Sequence, residues 1–160
     1  MKKLIALLLA AILPMIILTG CFSSGKTETV KSAGEITVFA PNEMKDALEQ
    51  TALRYTNVDD HPECKTVSII FRFESAEDLK ALQGAGTYCD LFFHTGETQL
   101  SAISTTEILS GPNPAGETAV YSVSLITNSD RQDVANAFVA FLQGDEAQGV
   151  LSQYGFSNQF

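Results

Sequence analysis

An α/β domain, with a mostly parallel sheet and helices packed on both of its faces, is predicted by three observations. Short runs rich in β-branched and aromatic residues alternate with stretches whose apolar residues recur every three or four positions. The order over residues 35–94 is β-α-β-α-β, and short connections of that kind join parallel strands by right-handed crossovers. The chain has 160 residues. Once a leader of about 20 is set aside, the remainder suits one domain.

The leader comes first. Met1-Lys2-Lys3 is a short positive start, and Leu4 to Leu18 is apolar throughout, with one proline at Pro14. That stretch is too short for a spanning helix, which needs about 20 apolar residues, and it reads as a secretory signal over residues 1–20. Leu18-Thr19-Gly20-Cys21 resembles the lipobox of bacterial lipoproteins. The resemblance implies cleavage before Cys21, a diacylglyceryl group on its sulfur, and a place on the outer face of the cell membrane. Two or three acyl chains hold firmly, because each buried CH₂ contributes about 0.8 kcal/mol. Residues 21–34 are mostly small and polar and read as a tether.

Residues 35–160 form the expected domain. Glu35 to Ala40 is a strand, broken by Pro41, and Glu43 to Tyr55 a helix with Met44, Ala47, Leu48, Thr51, Ala52 and Tyr55 on one side. Asn57 to Pro62 is a polar turn, and Thr66 to Phe73 a second strand. Ser75 to Leu82 is a helix opened by Ser75-x-x-Asp78, a start like a capping box, and stopped by Gly84 and Gly86. Leu91 to His94 is a buried strand. Val120 to Thr127 is another, followed by helices over 133–142 and 145–154. Gly111-Pro112-Asn113-Pro114-Ala115-Gly116, within residues 95–116, is read as the least structured stretch after the tether.

Charge narrows the partners. Loss of Lys2 and Lys3 leaves eight basic residues against 19 acids, a formal charge of −11. Such a surface repels nucleic acid, which is excluded as a partner. Cys64 and Cys89 each precede a strand, with another strand between them. That spacing is about 10 Å, too wide for a disulfide, so two buried free thiols are expected.

Ile36-Thr37-Val38-Phe39-Ala40, the following helix, a strand ending in a turn with Ser75, then Leu79, Gly86 and Cys89-Asp90-Leu91-Phe92 resemble the molybdate-binding proteins of ABC transporters. A second block matches in order: Val120 to Thr127, Ala135 to Leu142, Asp145 to Gln148, and Tyr154-Gly155-Phe156. The resemblance implies a single Rossmann-like lobe of a type II periplasmic-binding-protein fold. It further implies molybdate or tungstate as ligand, no resident cofactor or metal, and ABC permease and ATPase subunits as partners. Residues 95–116 are too few for the second lobe that such clamps insert there.

The ligand-binding turns implied by the family fall at Asn42 and Glu43 and at Ser75 and Ala76. Glu43 and Ala76 stand where the family places hydroxyls. A carboxylate about 4 Å from a unit negative charge costs about 4 kcal/mol at an effective dielectric of 20, and a dianion doubles that. The plainer assignment of Asn42, Glu43, Ser75 and Asp78 is helix capping.

His61, within Asp59 to Cys64, lacks the tight spacing of a zinc site. His94, at the end of a strand, is expected to line the cleft. No nucleophile motif, phosphate loop or carboxylate pair is present, which points away from an enzyme. Besides a shortened importer receptor, impaired in capture, two alternatives stay open. One is a non-transporting surface lipoprotein with an interaction lobe, and the other a degenerate, internally deleted copy.

Overall fold

The computed structural model describes residues 34–158, apart from 58, 65 and 97–100. The expected leader, Cys21 and nearly all of the tether lie outside the described residues. Strands β1 (Gly34–Pro41), β2 (Val67–Glu74), β3 (Leu91–Thr95), β4 (Ala102–Pro112), β5 (Thr118–Ile126) and β6 (Ser157–Asn158) form one sheet in the order β2-β1-β3-β5-β4-β6. The helices are α1 (Lys45–Tyr55), α2 (Ala76–Gly84), α3 (Gln132–Leu142) and α4 (Asp145–Leu151), with a 3-10 turn over Asn42–Met44 leading into α1.

Period-two alternation along the strands sorts the core onto both faces. Ile36, Val38 and Ala40 of β1, with Leu91 and Phe93 of β3, join Leu48, Tyr55, Phe138, Leu142 and Leu151 beneath α1, α3 and α4. Phe39 and Phe92 point the other way, to Leu79 of α2 and Cys89. The expected helices on both faces are therefore present.

The sheet is mixed, which corrects the expectation of a mostly parallel one. β1 runs parallel to β2 and β3, whereas β5 is antiparallel to β3 and β4, and β6 antiparallel to β4. The difference lies in the antiparallel β5 and in β4, which falls within residues 95–116, where the sequence predicts no strand. Its register slips between Ala102 and Ser104 and again between Glu107 and Leu109. Each slip moves the following side chains to the other face, so no steady alternation marks the strand.

Residues 111–116 are likewise ordered. Gly111 and Pro112 finish β4, and Asn113 builds the hairpin turn. Its Oδ1 accepts from the N–H groups of Ala115 at 3.0 Å and Glu117 at 2.9 Å. Residues 102–126 thus form a long hairpin in the same sheet, and the described residues contain one lobe.

Two helix ends show local sequence setting the chain path. Gly86, at φ 75°, lets Thr87 N–H reach Leu82 C=O while its own N–H bonds Gln83. Gly155, at φ 81°, does the same with Phe156 to Leu151 and its own N–H to Ser152. Both are left-handed glycine caps. The second drops Phe156 into the core beside Leu151.

Cys64 and Cys89 are both buried, on opposite faces of the sheet and with β1 between their strands. A disulfide between them is out of reach. Cys89 is a free thiol pushed up to about 12, first by burial and then by the charge of Asp90.

Candidate ligand-binding corner

The carboxyl ends of β1, β2 and β3 meet at one corner of the lobe, with Pro41 in register with Glu74. Ligands in open α/β sheets bind outside such strand ends. A cavity of about 20 Å³ lies there, bounded by Pro41, Ala76, Leu79, Lys80, His94 and Thr95 among others. That is room for about one water molecule. Ala76 and Lys80 are one helical turn apart on α2, so both face the corner.

The four turn residues separate. Asn42 is exposed in the 3-10 turn, and Ala76 lines the cavity without a hydroxyl. Ser75 caps α2: its Oγ accepts from Asp78 N–H at 3.1 Å and donates to the Asp78 carboxylate at 2.6 Å. That hydroxyl is committed to its own helix, as the capping assignment requires. Glu43 turns away toward β5, where the Tyr121 hydroxyl lies 3.1 Å from its Oε1. The same hydroxyl is 2.8 Å from Pro112 C=O. One phenolic proton thus serves two acceptors, and Tyr121 ties the start of α1 to the end of β4. Burial, then the Glu43 charge and hydrogen bond, raise its pKa above the ordinary tyrosine value.

His94 is buried at the corner, as expected of a cleft residue. Its Nδ1 is 3.0 Å from Gly96 C=O and its Nε2 3.0 Å from Ser124 Oγ, which is in turn 2.7 Å from Thr105 Oγ1. A carbonyl only accepts, so Nδ1 carries the proton and Nε2 accepts from Ser124. Burial holds the imidazole below its ordinary pKa, overcoming the Gly96 bond, and the Lys80 charge adds to the depression. His94 and Lys80 thus line the same small cavity. Fold and sequence pattern led to His94. Lys80, Tyr121 and the Ser124–Thr105 pair were missed. Lys80 could have been found from its spacing to Ala76, whereas Tyr121 lies 78 residues from Glu43 and carries no local signal.

Two further polar clusters lie away from the corner. Asp90, buried, accepts from Tyr88 OH at 2.5 Å, Ser129 Oγ at 2.6 Å and Thr37 N–H at 2.7 Å. It joins β1, β3 and the loop after β5. His61 Nε2 is 3.1 Å from Glu146 Oε2, and its ring packs on Tyr55 and Phe141. Arg54 pairs with the same Glu146 and with Asp60. Arg54 and His61 therefore fasten the end of α1 and the turn after it to α4. Among the described residues, no group of three or more His, Cys, Asp and Glu is placed to hold a metal ion. No helix among them is long and apolar enough to cross a membrane.

Comparison with known proteins adds to this geometry. Residues 95–157 match the sequence model of the bacterial extracellular solute-binding protein family. No curated protein matches the chain significantly. One similar solved structure is the substrate binding domain of a protein named as a molybdenum ABC transporter of Clostridium difficile. It is 14% identical, with a TM-score of 0.61 over 77% of this chain and 98% of that one. The sulfate-binding protein SubI of Mycobacterium tuberculosis is 9% identical, with a TM-score of 0.57 over 78% and 87%. Oxidized OxyR of Corynebacterium glutamicum is 10% identical, with a TM-score of 0.55 over 79% and 68%. Identities this low speak to fold alone. The fold is that of a periplasmic-binding-protein-like lobe, and the stretch from residue 95 to residue 157 carries the sequence pattern of bacterial extracellular solute-binding proteins.

Proposed function

We propose that the chain is an exported, lipid-anchored solute-binding lobe of an ABC importer of the molybdate or tungstate type. In this reading it is held at the membrane through Cys21 and works with permease and ATPase subunits. The observation that carries the reading is the solute-binding pattern over residues 95–157, set in a lobe whose fold is shared with molybdenum- and sulfate-binding domains. The corner supplies the N-terminus of α2 and the Lys80 ammonium as attractive groups for an anion. Against them stand the acids Glu77 and Asp78 in the first turn of α2, a committed Ser75 hydroxyl and a bare Ala76. A single lobe also offers half of a clamp's contacts. Capture by this lobe alone is therefore weak, and we regard the chain as a shortened form of the two-lobed receptor.

Titration calorimetry with molybdate, tungstate and sulfate tests this. The expected result is weak binding, in the millimolar range or about −4 kcal/mol, for molybdate or tungstate. Ala76→Ser, which adds a hydroxyl to the cavity lining, is expected to tighten it roughly tenfold, about 1.4 kcal/mol. Absence of both heat and thermal shift at millimolar molybdate and tungstate, in parent and variant alike, would overturn the reading. The alternative of a protein-contact lobe rests on a groove beside α1, about 400 Å³, in which Leu53 is 63% exposed.

A further inference from the structure

The face of the sheet that turns Phe92 toward α2 becomes polar beyond β3. Phe92 stands opposite Ser124 and His94 opposite Ser122, and these serines stand opposite Thr105 and Glu107 of β4. Directly paired residues share a face, so the row is one continuous patch. Within it His94 Nε2, Ser124 Oγ and Thr105 Oγ1 form an unbroken chain, with steps of 3.0 and 2.7 Å. The chain begins at His94 on the corner cavity, passes through Ser124, which is fully buried, and ends at Thr105, which is exposed. It therefore links solvent beside β4 to the corner.

A hydroxyl both donates and accepts. With His94 neutral, Nδ1–H donates to Gly96 C=O, so Ser124 donates to Nε2 and accepts from Thr105. A proton that Thr105 receives from hydronium or a buffer acid displaces its own proton to Ser124, and that of Ser124 to Nε2. One proton is taken up, and the chain is left reversed. Nε2–H now donates to Ser124, Ser124 to Thr105, and Thr105 to water. Both ring nitrogens keep their partners, and no heavy atom has to move. The two directions differ in what they ask of Thr105. Ser124, shut off from water, needs an acceptor for its own proton only in the reversed one. Among the described residues, Lys80 of α2 is the one charged group that lines the cavity with His94. Glu107 of β4 lies two strands from His94, about 10 Å away. Glu43 is engaged with Tyr121, and Asp78 with Ser75.

We propose that Thr105, Ser124 and His94 are a proton relay that makes His94 a proton-linked binding residue of the corner. The folded lobe takes up a proton there, and the corner gains a second positive charge, with Lys80, for an anionic ligand. Proton and anion then favour each other's binding. This coupling rests on the anion reading of the corner, whereas the relay does not.

Nitrogen-15 NMR of the histidine-labelled protein tests it, with His94 identified by the signals lost in His94→Gln. Thr105→Val removes the acceptor that only the reversed chain needs. It is expected to lower the proton affinity of His94 by roughly tenfold, because hydrogen bonds that serve the charged form favour it. Thr105 is exposed, so the lobe should stay folded, as an unchanged melting temperature would show. Thr105→Ser keeps the hydroxyl and should leave the affinity at the parent value. An unchanged or raised affinity in Thr105→Val would overturn the relay, since a chain that serves only neutral His94 opposes protonation. At about pH 6.5, the ordinary histidine midpoint, millimolar molybdate should raise the protonated fraction of His94. Binding heat without that rise would overturn the coupling and leave the anion reading standing. Absence of heat would overturn both.

Discussion

Gly111 sits where a side chain has no room. A Cβ built there meets the Phe156 ring at 2.1, 2.5 and 2.9 Å, against ordinary contacts of 3.4–4 Å. The ring would have to retreat by more than an ångström, and it is fully buried, edge-on to Tyr121 at 5.7 Å. Overpacking of this kind costs about 1–3 kcal/mol, and complete loss of the Phe156 contacts sets a ceiling of about 3–5 kcal/mol. Alanine regains about 0.5–1 kcal/mol over glycine in a strand. Gly111→Ala is therefore expected to destabilise the lobe by about 2 kcal/mol, read as a fall in the urea midpoint of roughly 1 M. Phe156→Ala relieves the clash, so the double variant should be more stable than the sum of the two single losses predicts, by about 1 kcal/mol or more. A change under about 0.5 kcal/mol for Gly111→Ala, or strict additivity with Phe156→Ala, would refute the packing argument.

Other expectations follow from the polar contacts. Asp90→Asn sets an amide against three donors and should cost about 3 kcal/mol in chemical denaturation. Ser75→Ala removes the cap of α2 and should cost about 1 kcal/mol without weakening whatever anion heat the parent shows, because the hydroxyl is committed to Asp78. Lys80→Ala should instead lower that heat and leave stability nearly unchanged. His94 has a folded pKa below its unfolded value, so protonation favours the unfolded chain. Stability should be full above about pH 6.5 and decline as pH falls from there through the folded pKa, and His94→Gln should flatten that slope in melts across pH. Cys89, with its thiol near 12, should react with a thiol reagent only at the rate of unfolding.

The first half of the lobe was legible because its signals are local. Pro41 ends one strand, Ser75 caps one helix and Gly86 stops it, and the apolar steps of α1 repeat cleanly. β4 was not legible, since two register slips scramble its alternation and its polar Ser104-Thr105-Thr106 run reads as loop. The corner was located from strand ends, but its character was not. Whether Glu43 faces a ligand or a tyrosine depends on where β5 comes to lie. Tyr121 belongs to a strand whose antiparallel placement no local pattern announces.

The reversal of strand direction between β3 and β5 also divides the lobe by the order in which it can fold. β4 and β5 are joined by a five-residue turn and close with little loss of chain freedom. β1 and β2 must wait for a helical crossover, and β3 for a second one. The hairpin is expected to acquire amide protection first in pulse-labelled refolding and to serve as the template on which β3, then β1 and β2, assemble. A chain secreted from its N-terminus releases that template last. Under the export proposed above, the parallel half would cross the membrane with nothing to fold against and would stay threadable until the hairpin has followed.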